Sequence, residues 1–208
     1  MRELRIHGRG GQGAVIASKV LAVALFRDGR QVQSFPAFGV ERRGAPVTAF
    51  LRMADTAIRL RCEITEPDDL IVLDATLIGA TEVAAGLKPG GLIVVNTERA
   101  PEELSTLIGR FRVATVDASG IATARGIGSR SQPIVNTAIL GAWAAAAGFP
   151  GMDALCEAIR EEVPTRPEEN VAAAQDAAAS VRIAAPPGSS PSPRPSPSPS
   201  VPQEPAHA

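Results

Sequence analysis

Along most of the chain, apolar residues fall into two habits: short continuous runs and longer stretches with helical spacing. Leu4 to His7 reads as a strand and Gly13 to Phe26 as a helix, followed by strand-like runs at Gln31 to Phe35 and Pro46 to Met53. Three further runs, Leu70 to Asp74, Leu92 to Val95 and Phe111 to Val116, look like strands buried on both faces. Each is followed by Ala-rich or capped helical sequence, and Pro101-Glu102-Glu103 makes a good first turn. Ile134 to Ala147 and Met152 to Glu162 read as two helices with no strand between them, and Pro167 to Val181 as a last one. Continuous apolar strands alternating with helices predict an α/β fold: a three-layer α/β/α domain over residues 1–183, on a mostly parallel, Rossmann-like sheet.

The pattern stops at Ala184. The remainder, AAPPGSSPSPRPSPSPSVPQEPAHA, holds half of the 18 prolines and has no apolar periodicity, which predicts a disordered Pro/Ser-rich tail over residues 184–208. A length of 208 residues with 45% hydrophobic content suits one domain with a real core plus this appendage. The formal net charge of −1, with no long basic run, argues against nonspecific capture of nucleic acid. No apolar run reaches the roughly 18 residues of a membrane span, and the N-terminus lacks an uninterrupted apolar core, so a cytoplasmic protein is expected. Cys62 and Cys156 lie far apart, without a CxxC, and only His7 and His207 accompany them. That is too few ligands for zinc or an iron–sulfur cluster, so in an electron-transfer reaction the cluster belongs to another chain.

The densest chemistry lies at His7-Gly-Arg-Gly-Gly-Gln-Gly13, where Gly8, Gly10 and Gly13 satisfy GxGxxG between a strand and a helix. In that context the first glycine permits a tight turn, the second lets a phosphate approach the backbone, and the third lets helix and strand pack closely. Free N–H groups at the helix start favour an anion. Gly8, Arg9, Gly10, Gly11, Gln12 and Gly13 are therefore candidate ligand-binding residues, with a ligand-free βα turn as the alternative. A nicotinamide site places a carboxylate about 20 residues further on, at the end of the second strand. Here Gln31-Val-Gln-Ser-Phe-Pro-Ala-Phe-Gly39 supplies none, so NAD is not indicated.

A second stretch, Phe35-Pro-Ala-Phe-Gly-Val-Glu-Arg-Arg-Gly-Ala-Pro46, sets Glu41, Arg42, Arg43 and Gly44 between stiffening prolines. Its guanidinium groups suit carboxylate or phosphate, while an internal ion pair is the alternative. If the first two strands run parallel, this loop lies beside the glycine turn. A third stretch, Ser131-Gln-Pro-Ile-Val-Asn-Thr-Ala-Ile-Leu-Gly141, places Asn136 and Thr137 near a helix start. They can reach a phosphate or simply make helix-end hydrogen bonds. Asp74 ends an apolar strand and is read as a cap for the next turn, with ligand contact as the alternative, and Trp143 as a core residue.

Taken in order, GRGGQG, FPAFGVERRGAPV and QPIVNTAILGA resemble the gamma subunit of the pyruvate:ferredoxin oxidoreductase family, the wider 2-oxoacid:acceptor oxidoreductases. The likeness spans roughly residues 3 to 182. It implies a complex that decarboxylates a 2-oxoacid on thiamine diphosphate and Mg, passes electrons through iron–sulfur clusters to ferredoxin or another acceptor, and forms an acyl-CoA. Thiamine diphosphate is implied between partner alpha and beta subunits, and the clusters on beta and delta. The gamma subunit is implied to close over the active centre and help bind CoA, and to be inactive alone. A purely architectural subunit and a stand-alone NAD-dependent dehydrogenase are the competing readings.

Overall fold

A computed structural model describes residues 1–37 and 44–184. Strand β1 (Arg2–Arg9) runs into helix α1 (Ala14–Arg27), followed by β2 (Gln31–Pro36), β3 (Pro46–Ala54) and β4 (Asp69–Val72). Short helix α2 (Leu77–Ala80) precedes β5 (Leu92–Asn96), and β6 (Arg112–Val116) leads into α3 (Ala118–Ala124). A small hairpin, β7 (Gly128–Ser129) with β8 (Gln132–Pro133), opens the helical part of α4 (Asn136–Ala147), α5 (Met152–Glu162) and α6 (Pro167–Ser180). A last strand, β9 (Arg182–Ala184), returns to the sheet.

The main sheet has the order β2-β3-β1-β4-β5-β6-β9. Strands β1, β4, β5 and β6 pair in parallel. Strand β3 lies antiparallel between β1 and β2, and β9 pairs antiparallel with β6. Because β3 opposes both of its neighbours, β1 and β2 point the same way without touching. The sheet is mostly parallel, as expected, but β3 separates two strands that a dinucleotide fold sets side by side.

On one face of the sheet α1 packs against β1, β2 and β3 and α4 against β5 and β6, while α5 packs on α1 and α6 on α4. Helix α4 is buried continuously from Asn136 to Ala144, and a helix apolar all round needs cover on every side. It sits between the sheet, α1, α5 and α6. Gly141 makes the tightest crossing possible, since a Cβ there would run into the Ala174 carbonyl of α6. Trp143 is fully buried, edge-on to Phe149 with ring centroids 5.3 Å apart, the core role expected for it.

The opposite face departs from the expectation that every central strand feeds a long helix. After β4 only Leu77–Ala80 is helical, and after β5 only a 3-10 turn at Pro101–Glu103. Pro89 with Gly86, Gly90 and Gly91 interrupts the first connection, and glycine and proline are the poorest helix formers. Isolated apolar side chains cover the sheet instead: Leu77, Val83, Leu87, Leu104, Leu107 and Phe111 pack on Leu70, Val72, Ile93, Val95 and Val113. Each buried aliphatic or aromatic side chain contributes on the order of 1.5–3 kcal/mol of transfer free energy, so a plain loop can seal a sheet.

Of the tail expected to be disordered from residue 184, Ala184 instead ends β9, and residues 185–208 lie outside the described residues, as do Glu41, Arg42 and Arg43. Among the described residues no helix is long and apolar enough to cross a membrane. No group of three or more His, Cys, Asp or Glu among them is placed to hold a metal ion. The two thiols do not fit a cluster: Cys62 is exposed beside Arg52, and Cys156 is buried in α5.

Candidate functional site

From β1 the chain goes out to β3 and β2 on one side, while β4, β5 and β6 extend the sheet on the other. The order reverses between β1 and β4, and in open α/β sheets such a reversal leaves a crevice beyond the carboxyl ends of the strands. A cleft of about 740 Å³ lies there, lined by the turn from Arg9 to Gln12, Gly44, Leu73 to Thr76, Asn96, Ser119 and the β7–β8 hairpin. A second hollow of about 630 Å³ lies among the connecting segments near Val83 to Pro89 and gathers none of the glycine turn.

Within the turn, each glycine has its own physical cause. A Cβ on Gly8 would stand 2.9 Å from Leu73 Cδ1, so a side chain there would make the buried Leu73 side chain just past β4 shift. Gly10 extends the β1–β3 ladder: its N–H donates to the Ala45 carbonyl at 2.9 Å, and its carbonyl accepts from the Gly44 N–H at 3.1 Å. Its amide is therefore committed to the strand pair and not left for a phosphate. Gly13 is the N-cap of α1 with φ 81°, and a Cβ there would meet Asn136 Nδ2 at 2.7 Å. Gly11, with φ 98°, lines the cleft and has nothing within 4 Å of a would-be Cβ. Of Gly8, Gly11 and Gly13, Gly11 is the one that lines the cleft, with open space at its Cβ position.

Arg9 and Asp74 organise the rim. Arg9 Nε donates to Asp74 Oδ2 at 3.0 Å, Nη2 to Thr76 Oγ1 at 2.8 Å and Nη1 to the Gly44 carbonyl at 3.2 Å. Gln12 joins them: its Oε1 accepts from the Arg9 N–H at 2.7 Å and its Nε2 donates to Asp74 at 3.2 Å. Asp74 Oδ1 also accepts from the Thr76 hydroxyl at 2.6 Å and the Thr76 N–H at 3.0 Å. Burial pushes the Asp74 carboxyl upward, but the bonds from Thr76 and Gln12 and the charge of Arg9 outweigh it, so the group is held below its ordinary value. Asp74 is thus the turn cap that the sequence suggests and also the anchor of the glycine turn.

The sequence profile of pyruvate ferredoxin/flavodoxin oxidoreductase matches residues 3–180. The chain belongs to this family. It is 49% identical over 180 residues to the pyruvate/ketoisovalerate oxidoreductases common subunit gamma of Thermococcus kodakarensis, covering 85% of this chain and 95% of that one. It is 51% identical over 160 residues to the pyruvate synthase subunit PorC of Methanosarcina barkeri, covering 77% and 85%. The crystal structure of pyruvate oxidoreductase subunit PORC from Thermotoga maritima superposes with a TM-score of 0.74 at 32% identity, covering 88% of this chain and 97% of that one. These likenesses identify a gamma-type subunit of a 2-oxoacid:ferredoxin oxidoreductase. A 2-oxoglutarate:ferredoxin oxidoreductase from Magnetococcus marinus, solved with 2-oxoglutarate, coenzyme A and succinyl-CoA bound, shares the fold at a TM-score of 0.63 and 21% identity. The match covers 86% of this chain and 30% of that longer one.

In this gamma-type subunit the third sequence stretch divides. Asn136 is buried against Gly13, and its Oδ1 accepts from the Thr137 N–H at 2.9 Å. Thr137 turns away from the cleft and donates to Asn170 Oδ1 of α6 at 2.7 Å. Both thus make the helix-end contacts named as the alternative, and of the described residues of the second stretch only Gly44 lines the cleft. Sequence reading missed Thr76, Asn96, Ser119 and Ser129. Asn96 and Ser119 stand at or just past the ends of apolar strands, the same signal that singled out Asp74.

Proposed function

We propose that this chain works as the gamma subunit of a complex in which a 2-oxoacid and CoA give an acyl-CoA, CO2, one proton and two electrons. The electrons pass to ferredoxin or a similar acceptor. In this reading thiamine diphosphate, Mg and the iron–sulfur clusters belong to partner alpha, beta and delta-type subunits, and this chain binds CoA and closes over the active centre. The observation that supports it is the cleft at the β1/β4 reversal, where Gly11 is open and Arg9 is already oriented. A guanidinium carries five N–H donors, and Asp74, Thr76 and Gly44 engage three of them among the described residues. Arg9 and Asp74 cancel in charge, so directional N–H bonds rather than excess positive charge would hold a CoA phosphate there.

Arg9→Ala in the assembled complex tests this. Loss of a charge-assisted bond is expected to raise the KM for CoA roughly ten- to a hundredfold, while CoA-independent decarboxylation stays near normal. Arg43→Ala, made in parallel, extends the test to the segment preceding Gly44. An architectural subunit predicts the opposite: weaker assembly and equal loss of both half-reactions. Unchanged CoA kinetics in an intact complex would reject the role. The NAD-dependent alternative loses support, because β3 occupies the place beside β1 where the second strand would bring a ribose-binding carboxylate.

A further inference from the structure

Asn96 and Ser119 form the uncharged side of the same cleft. Asn96 ends β5, and its amide is oriented without ambiguity. Its Nδ2 donates to the Leu73 carbonyl at 2.9 Å and to Ser119 Oγ at 3.0 Å, and its Oδ1 accepts from the Ser119 N–H at 3.2 Å. A flipped amide would set oxygen against the Leu73 oxygen and nitrogen against the Ser119 N–H, so the three bonds fix one orientation. Ser119 Oγ therefore receives a hydrogen bond and cannot give its proton back to Asn96. Among the described residues no acceptor takes that proton, although Ser119 lines the cleft and is only partly exposed. Thr76 on the charged side differs: it accepts from Arg9 and its one proton is already given to Asp74.

We infer that Ser119 is a ligand-contacting residue whose O–H is turned into the cleft by Asn96, a positioning residue. A neutral hydroxyl donor suits a neutral acceptor such as an amide carbonyl. Resting on the CoA reading above, this gives the ligand a direction: phosphate toward Gly11 and Arg9, and an amide of the flexible arm toward Ser119.

The test uses the assembled complex, with CoA as the probe, measuring KM, kcat at saturating CoA, and CoA binding by calorimetry. Ser119→Ala removes the donor and is expected to raise both KM and Kd for CoA about three- to tenfold, with kcat nearly kept. Asn96→Asp keeps an acceptor for the Ser119 N–H but cannot donate to Ser119 Oγ. The hydroxyl then turns to the carboxylate, and the variant should reproduce the Ser119→Ala loss. The double variant should be no worse than the worse single one, because both remove one bond. A Ser119→Ala complex with unchanged CoA affinity beside a weakened Arg9→Ala complex overturns the inference and leaves the CoA reading intact. Losses that multiply in the double variant overturn the positioning role of Asn96. Should neither Arg9→Ala nor Ser119→Ala change CoA affinity in an intact complex, the CoA reading itself falls. Ser119→Ala decides the contact even where Asn96→Asp does not fold.

Discussion

Asn136 Nδ2 lies 2.7 Å from the point where a Cβ on Gly13 would stand, so the start of α4 rests against the start of α1 through a bare backbone. Gly13 also holds φ 81°, a left-handed conformation that L side chains resist. Gly13→Ala combines strain with a clash and is expected to cost about 2–4 kcal/mol. Gly11→Ala, at φ 98° with open space around it, carries the backbone strain alone, on the order of 1–2 kcal/mol. Urea unfolding of the two variants checks the difference; equal losses would mean that the contact with Asn136 does not matter.

His7 gives a pH signature. Burial, with the nearby charge of Arg5 second, pushes its imidazole down to about 4, and its Nε2 is enclosed without a partner among the described residues. The folded state therefore resists protonation more than the unfolded chain, whose His titrates near 6.5. Stability from the neutral ring is fully present above about pH 6.5 and is lost as pH falls through about 4, by roughly 3 kcal/mol in total. His7→Gln should flatten that part of the stability–pH profile, as followed by denaturant midpoints. An unchanged slope would place the acid sensitivity elsewhere.

Gly141 bears on the helical layer. Any side chain there meets the Ala174 backbone, and main chain in a packed helix pair has nowhere to go. Gly141→Ala is expected to destabilise by about 2–4 kcal/mol despite alanine's better helix propensity, which favours it by roughly 1 kcal/mol. A stabilised variant in thermal melts would contradict the close α4–α6 crossing.

The thiols should separate by kinetics. Cys62 is exposed, whereas burial pushes the Cys156 thiol upward despite the nearby Arg160. Alkylation at neutral pH, followed by mass spectrometry, is expected to label Cys62 on the order of a hundredfold faster, with Cys156 reacting freely only after unfolding. Comparable native rates would argue against the packing of α5 described above.

Hydrophobic periodicity by itself determined the parallel centre of the sheet and helices α1, α4, α5 and α6, because burial on two faces or along one helical stripe leaves a local trace. Met152–Glu162 is bounded as the pattern predicts. Cysteine spacing likewise argued against a cluster on this chain, and the order of three short motifs carried the family. Tertiary structure alone decided where β3 goes: its apolar residues suit either side of β1, and nothing local says that it will separate β1 from β2. It also decided what the glycines are for. GxGxxG looks the same whether a phosphate, Leu73 or Asn136 approaches the backbone, since a missing Cβ says only that something comes close. The same holds for the cleft's polar groups. Asn96 and Ser119 are 23 positions apart, and only neighbouring strand ends bring an amide near enough to turn a hydroxyl. Local residue choice sets which elements form, whereas close approaches between distant residues set which donors remain for a ligand.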